Sequence, residues 1–314
     1  MKTDTRGAVE LPISRGFERI AEVRLATVHF NPCGYKRLRD TYYEWLPTLG
    51  PLAPAVKCYE LVFDDDQPEI EGSTVLRGTR REHLMFQKEP LVNIALRNCG
   101  PEVKYFAWLD HDFVNADPDW LAKGVAKIDG GALAVQLLSR AVWLTRDRRP
   151  SDIAVGAVKR WKTSADCNGN PGALWLASRT YLDMIGGLSC DNIVGGGDQN
   201  WIDAAVGRYG YHLQRYSEPL RQTMRERIRT AAGLRGGRTA DYLETDAYHL
   251  WHGEFSDRKY NERNAILRDY DLRPGRDLRI DLQGLQSWSG QEHPGLRQAV
   301  AEYFEQRRED GDET

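Results

Sequence analysis

Three short stretches carry residue types and spacings that chemistry uses. In Tyr105-Phe106-Ala107-Trp108-Leu109-Asp110-His111-Asp112 an apolar run stops on two carboxylates one residue apart. A bulky, β-favouring run bounded by charge reads as a central strand of an α/β sheet, and such sheets take ligands at the carboxyl ends of their strands. Side chains alternate along a strand, so Asp110 and Asp112 face one side and can converge on a hard cation, with His111 pointing the other way. The plain structural alternative is a strand followed by a capped turn. In Gly195-Gly196-Gly197-Asp198 the glycines let backbone approach a ligand and the acid stands at a helix start; the alternative is an Asp N-cap after a flexible turn. In His249-Leu250-Trp251-His252-Gly253 two histidines three apart offer imidazole ligands, or are satisfied by local hydrogen bonds.

The elements needed to position these groups are legible in the pattern around them. Val23 to Phe30 alternates and then turns apolar, ending at Asn31-Pro32-Cys33-Gly34; Tyr35 to about Leu49 has helical spacing stopped by Gly50-Pro51; Val56 to Phe63 is a second strand. Strand, helix and strand with short links form a βαβ unit. Val75 heads a short strand, His83 to Arg97 reads as a helix with Pro90 as a kink or restart, and the Asp110 strand follows. Beyond it, Leu121 to Ile128 is helical and Gly131 to Leu144 reads as one long strand. Asn168-Gly169-Asn170-Pro171-Gly172 is a loop, followed by an apolar piece, Ala173 to Ala177, and helices at Arg179 to Ile185 and Gln199 to Tyr209. Residues 219–240, rich in Arg and Gly without a firm period, read as a mobile loop, and Pro294 to Arg308 as an amphipathic helix. Residues 1–20 read as an arm or short helix.

The 314 residues suffice for a sizeable core, and 28% charged residues with a net charge of -3 describe a globular chain. No apolar run approaches the ~20 residues that span a bilayer, and Met1 to Arg6 lacks a signal-peptide core, so the expected location is the cytosol, with no membrane partner. The five cysteines, Cys33, Cys58, Cys99, Cys167 and Cys190, form no C-x-x-C pair and are expected reduced. Basic residues cluster at Arg77 to Arg81, Arg140 to Lys162 and Arg221 to Arg238, which keeps an anion site open.

Taken in order, Trp108-Leu109-Asp110-His111-Asp112, the Gly-rich acid at 195–198, and His252 followed by Asp257-Arg258-Lys259-Tyr260-Asn261-Glu262-Arg263 resemble the metal-dependent GT-A glycosyltransferases. The later segments are similar to those of β-1,4-galactosyltransferases and polypeptide N-acetylgalactosaminyltransferases, while Phe30 to Tyr35 and Phe86 to Glu89 look like segments of bacterial and phage GT-A-like proteins. The resemblance spans residues 23–265. It implies a single Rossmann-like α/β domain over 1–314 with a mostly parallel central sheet flanked by helices: a nucleotide-binding half at about 23–115, an acceptor and metal half at about 116–265, and a tail helix at 266–314. It also implies a D-x-D and a late histidine holding manganese on the diphosphate of a nucleotide sugar, and a carboxylate after a Gly-Gly pair as catalytic base. Where that family has G-G-E-D, this chain has Gly196-Gly197-Asp198-Gln199, with one acid in place of two.

On that footing Asp112 and His252 hold Mn2+ (or Mg2+), Asp110 holds it or the ribose, and Asp198 takes the acceptor proton, which implies inversion. Asn31 and Pro32 receive the nucleotide base of a UDP-sugar or form an ordinary turn; Arg77 and Lys88 contact phosphate or sugar or are solvated. The segment with Arg221, Arg225, Arg227, Arg229, Arg235 and Arg238 is a lid or a basic loop, and Trp143, Trp161, Trp175 and Trp251 stack on sugars or lie in the core. The acceptor is a saccharide or a hydroxymethylated DNA base. A metal-dependent phosphohydrolase or nucleotidyltransferase, which would need further acids for a second metal, and a non-catalytic nucleic-acid-binding protein are the competing classes.

Overall fold

A computed structural model describes residues 7–166, 168–260 and 262–311. Met1 to Arg6, Cys167 and Asn261 lie outside the described residues.

The chain begins with β1 (Val23–Phe30), α1 (Lys36–Trp45), β2 (Val56–Phe63), β3 (Thr74–Gly78), α2 (Arg80–His83), α3 (Lys88–Arg97) and β4 (Tyr105–Leu109). There follow β5 (Phe113–Asn115), α4 (Trp120–Asp129), β6 (Ala134–Gln136), β7 (Arg140–Leu144), β8 (Pro150–Val155), α5 (Ala157–Ser164), β9 (Leu174–Ser178) and α6 (Arg179–Ile185). The remainder is α7 (Gly197–Val206), α8 (Glu218–Gly233), β10 (Asp241–Tyr242), β11 (Asp246–His249), α9 (Arg263–Asp269), α10 (Pro274–Asp277), the β12 (Leu278–Ile280) and β13 (Gln286–Trp288) hairpin, and α11 (Pro294–Gln306).

Seven strands form the main sheet in the order β10-β6-β9-β4-β1-β2-β3. β1 pairs in parallel with β2 and β4, as does β2 with β3 and β10 with β6, while β9 runs antiparallel to β4 and β6. This is the expected α/β class with a mostly parallel sheet flanked by helices. Period two is plain in β4, where Tyr105, Ala107 and Leu109 join the core on one face and Phe106 and Trp108 the core on the other. Both faces are covered, which is why this strand reads as an unbroken apolar run. A smaller sheet, β5-β11-β7-β8, stands beyond the end of β4, and a third core cluster lies under α8, α9 and α11.

Several sequence expectations need correcting. The expected strand through Asp112 stops at Leu109; Asp110 to Asp112 form a turn closed by Phe113 N–H donating to Asp110 O at 3.0 Å. Gly131 to Leu144 is two strands in two sheets, because Leu137 N–H turns to Leu174 O and Ser139 N–H to Thr245 O. His83 to Arg97 is not one helix: α2 ends at His83, Leu84 to Gln87 are not helical and α3 begins at Lys88, with Pro90 in its first turn, where the missing N–H costs no helical bond. The helix expected at Gln199 to Tyr209 starts earlier, at Gly197, and ends at Val206 before the left-handed Gly207. Residues 219–240 do not form a loop: α8 fills most of them and buries Leu220, Met224, Ile228 and Ala231, a spacing of four, four and three that keeps one face inward. Residues 7–17 carry no helix or strand, and among the described residues only a short turn of 3₁₀ helix, Ile20–Glu22, precedes β1. The region after residue 266 holds α10 and the β12–β13 hairpin as well as α11.

Candidate active site

A cavity of about 850 Å³ opens at the carboxyl ends of β1 and β4. Two clusters of charged side chains line it, one on each side of the Asp110–Asp112 turn.

The first cluster is built on α3 and α7. Lys88, the first residue of α3, is buried, with Nζ 2.7 Å from Asp110 Oδ1 and 3.0 Å from Asp198 Oδ2. Asp198 lies within the first turn of α7 and caps no backbone N–H there; the left-handed N-cap is Gly196 (φ 100°), preceded by Gly195 (φ 85°). Those two angles are what require glycine before the acid. A Cβ on Gly197 would collide with Glu89 Oε1, so the third glycine is a packing requirement. Glu89 is itself buried, and its carboxyl is pushed up to about 8, by burial first and then by the charge of Asp198. Asp110 is raised to about 7 by burial, which outweighs the opposing pull of Lys88 and is reinforced by Asp198 and Asp112. Burial would lower the Lys88 ammonium, but Asp110, Asp198 and Glu89 reverse that and raise it. One cation serves three carboxylates.

Strand register builds the second cluster. Antiparallel pairing of β11 with β5 sets His249 opposite Phe113, and Leu250 N–H donates to Asp112 O at 2.7 Å, so the chain just after β11 is pinned to the Asp112 turn. Asp112 Oδ2 lies 2.7 Å from His252 Nε2 and 3.3 Å from His249 Nε2, and the two imidazoles stack at 5.0 Å between centroids. One ligand atom from each of the three residues falls within 4.8 Å of the others, while Asp112 Oδ1 and His249 Nδ1 are buried without a hydrogen-bond partner. Burial would raise the Asp112 carboxyl, yet His249 and His252 hold it well below the usual carboxylate range. Burial lowers His249 to about 4, which leaves its imidazole neutral near pH 7. Arg258 Nη2 stands 2.8 Å from His252 Nε2 and its Nη1 3.2 Å from His249 Nε2. On the other side of His252, Nδ1 lies 2.6 Å from Glu309 Oε2. One carboxylate and two imidazoles are a donor set that fits a first-row divalent cation such as manganese.

Of the residues singled out from sequence, Asp110, Asp112, His252, Lys88, Asp198 and Pro32 all line this cavity. Asn31 is buried beside it and spends its side chain on the turn, accepting from Tyr35 N–H at 2.9 Å and donating to Glu69 Oε2 at 3.0 Å. Arg77 does not reach the cavity: it is exposed on the edge strand β3 and donates to Asp66 O. Because Asp110 to Asp112 form a turn, His111 also lines the cavity, its Nε2 3.5 Å from His29 Nδ1. Trp143 lines the cavity and stacks on His249, whereas Trp175 is core, stacked on Trp108. Trp161 packs partly buried against the core, and Trp251 lies partly buried under Arg146.

Sequence reasoning paired His249 with His252 but carried only His252 into the ligand set. It quoted Glu89, Arg258 and Arg263 within resembling segments without giving them a role, and passed over Arg307 and Glu309. His249 had a visible signal in its spacing; Glu309, in a run of charges, had none. Cys33, Cys58, Cys99 and Cys190 are free thiols, and no helix among the described residues is long and apolar enough to cross a membrane.

No protein-family model and no curated protein matches the chain. Among solved structures it is similar to Drosophila β1,4-galactosyltransferase 7 in complex with manganese, UDP-Gal and xylobiose, at 12% identity and a TM-score of 0.39, covering 82% of this chain and 86% of that one. It is similar also to glucosyl-3-phosphoglycerate synthase from Mycobacterium tuberculosis with Mn2+, UDP-glucose and phosphoglyceric acid (13%, TM-score 0.42, 88% and 94% covered). A third is a mannosyltransferase from Pyrobaculum calidifontis with GDP-Man and Mn2+ (13%, TM-score 0.41, 90% and 72% covered).

Proposed function

We propose that this chain is a metal-dependent glycosyltransferase that moves a sugar from a nucleotide sugar, a UDP-sugar by the resemblance of its motifs, to a hydroxyl acceptor with inversion. The observation that carries the reading is the convergence, in one cavity at the carboxyl ends of β1 and β4, of a carboxylate–dihistidine cradle and a separate lysine–carboxylate cluster. Asp112, His249 and His252 would hold the cation. Bound there, it would supply a Lewis acid against the charge that builds on the departing diphosphate.

The chain's own residues account for the rest. Arg263 and Arg307 line the cavity and bring fixed positive charge to the diphosphate; Lys88 keeps the Asp110 and Asp198 carboxylates together. As the acceptor oxygen bonds to the anomeric carbon, the carbon–phosphate oxygen bond breaks, its electron pair leaves on the diphosphate, and the hydroxyl proton passes to Asp198. The nucleoside sits by Pro32 at the end of β1, with Asp110 facing the ribose.

The competing readings fit less well. A two-metal hydrolase would set a second cation between Asp110 and Asp198, where Lys88 Nζ already stands. A nucleic-acid surface on α8 and the segment after it is reduced because Arg221 donates to Leu213 O and Tyr216 O, Arg227 pairs with Asp191, and Arg235, just beyond the helix, donates to Ala232 O. A saccharide acceptor is therefore preferred over DNA.

Thermal unfolding in the presence of UDP-sugars, with and without Mn2+, tests the reading. At 100 times Kd one donor should stabilise the chain by about 2.7 kcal/mol, and only with the metal. Equal stabilisation in the presence of a chelator would overturn it.

A further inference from the structure

We propose that Glu309 is a positioning residue for the cation site, and that the segment 307–311, after α11, is the strap that delivers it. The inference rests on the metal reading above. His252 is held from both sides: its Nε2 faces Asp112 and the Arg258 guanidinium, whose Nη2 stands 2.8 Å away and would have to give way to a bound cation, and its Nδ1 lies 2.6 Å from Glu309 Oε2. The Glu309 side chain is 2% exposed, and its other carboxylate oxygen is paired with Arg307, whose Nη1 donates to Tyr303 Oη at 3.0 Å. A buried carboxylate that receives the Nδ1 proton of an imidazole fixes the tautomer, leaves the Nε2 lone pair for a cation, and makes that nitrogen a better donor. His249 has no such support, since its Nδ1 is buried without a partner. Of the two imidazoles, only His252 has a partner on its Nδ1.

The strap and the end of α11 are anchored at points that do not touch the Asp112–His249–His252 cradle. Asp310 accepts from Arg37 N–H at 2.7 Å and Lys36 N–H at 3.2 Å, the first donors of α1, and so caps that helix from 270 residues away in the chain. Tyr35 Oη donates to Glu305 O at 2.8 Å, and Arg146 Nη2 to Asp310 O at 3.2 Å. Gly253, directly after His252, has φ 74°, and a Cβ there would stand 2.7 Å from Arg308 O. The glycine lets the strap cross against the histidine loop. The turn after β1, the His252 loop and the strap are thereby one assembly.

Glu309→Gln keeps the size of the side chain and removes its charge. Mn2+ binding, read from the free-ion EPR signal of the full chain, should weaken about 10- to 100-fold, while the far-UV circular dichroism spectrum stays that of the wild type. Asp310→Asn, which removes an anchor of the strap without touching His252, should lower the melting temperature and weaken Mn2+ binding in the same direction as Glu309→Gln but by less. A Glu309→Gln protein that binds Mn2+ as the wild type does would overturn the inference and leave the metal reading standing; a wild-type chain that binds no Mn2+ would overturn both. Should Glu309→Gln fail to fold, 15N shifts of His252 in the wild type with Zn2+ as a diamagnetic probe decide the matter. A protonated Nδ1 with a bare Nε2 is required, and the reverse tautomer overturns the assignment.

Discussion

The two charged clusters of the cavity contain the same kind of acid in opposite conditions. Around Lys88, three carboxylates share one ammonium, and Asp110 and Glu89 are pushed up to about 7 and about 8. Around His252, Asp112 and Glu309 meet Arg258, Arg307 and two imidazoles, and both carboxyls lie far below the usual range despite burial. Burial acts the same way on all four. What differs is the number of positive groups per carboxylate, and that ratio sets the direction of each shift. An acid-rich cluster can accept a proton; a cluster with its acids fully ionised can hold a cation. On the proposed reading, one cavity separates proton chemistry from charge stabilisation without a change of residue type.

The largest expected effect comes from disabling each cluster in turn. Asp112→Asn should lower Mn2+-dependent turnover about 10³-fold or more, because the Lewis acid is worth several kcal/mol, and Mn2+ affinity should fall with it. Asp198→Asn should lower kcat by roughly 10²- to 10⁴-fold with donor affinity nearly unchanged, the mark of an interaction made in the transition state. If the Asp198 variant instead loses donor affinity and keeps kcat, the division between the clusters is wrong.

A second, intermediate effect is in stability against pH, measured on the metal-free chain by denaturant unfolding. Glu89 holds its proton in the folded state up to about pH 8 but releases it near 4.5 when unfolded, so its contribution is complete below about 4.5 and is lost as the pH rises to about 8. Asp110 adds the same slope up to about 7, as does the buried Asp203. Asp112 and Glu309 act in the opposite sense: their contribution is present above the ordinary carboxylate range and is lost as the pH falls below it. Glu89→Gln should flatten the decline between about 4.5 and 8 by on the order of 1–3 kcal/mol and leave the acid limb unchanged. An unchanged alkaline limb would mean that Glu89 is ionised in the folded chain.

How much of this was legible in sequence depended on whether the deciding contact was local. β1 and β2 were bounded correctly because alternation and the turn residues after them act over a few positions. Gly131 to Leu144 was misread because nothing local marks Leu137 to Ser139 as the place where the chain changes sheet; the partners that decide it, Leu174 and Thr245, are distant. α8 was hidden by its arginines, which make the segment look polar although every fourth or third residue is apolar and buried. In the site, Asp110, Asp112, Asp198 and His252 stood out because acids and histidines next to apolar runs or glycines are conspicuous. Glu89 and Glu309 did not, since their burial comes from packing against Gly197 and His252 across the fold.

The smallest effect belongs to the arginines of α8 and of the segment just after it, and it is the one that can break the comparison from outside. Arg225, Arg229 and Arg238 are exposed and do not line the cavity, whereas Arg227 pairs with the buried Asp191 at 2.6 Å. If catalysis depends on the two clusters alone, changing Arg225, Arg229 and Arg238 together to Ala should alter stability by no more than about 0.5 kcal/mol and leave turnover on a saccharide acceptor unchanged. Arg227→Ala should cost more, about 1–2 kcal/mol, because it strips a buried carboxylate of its cation. The decisive measurement for the triple variant is binding to duplex DNA against salt. A saccharide enzyme should show no binding near physiological salt in either protein. A wild-type affinity whose log–log salt slope flattens by about 0.9 for each arginine removed would make α8 a phosphate-contacting surface. The acceptor would then be DNA, and the cavity's two clusters would need this third, external one to bring their substrate to them.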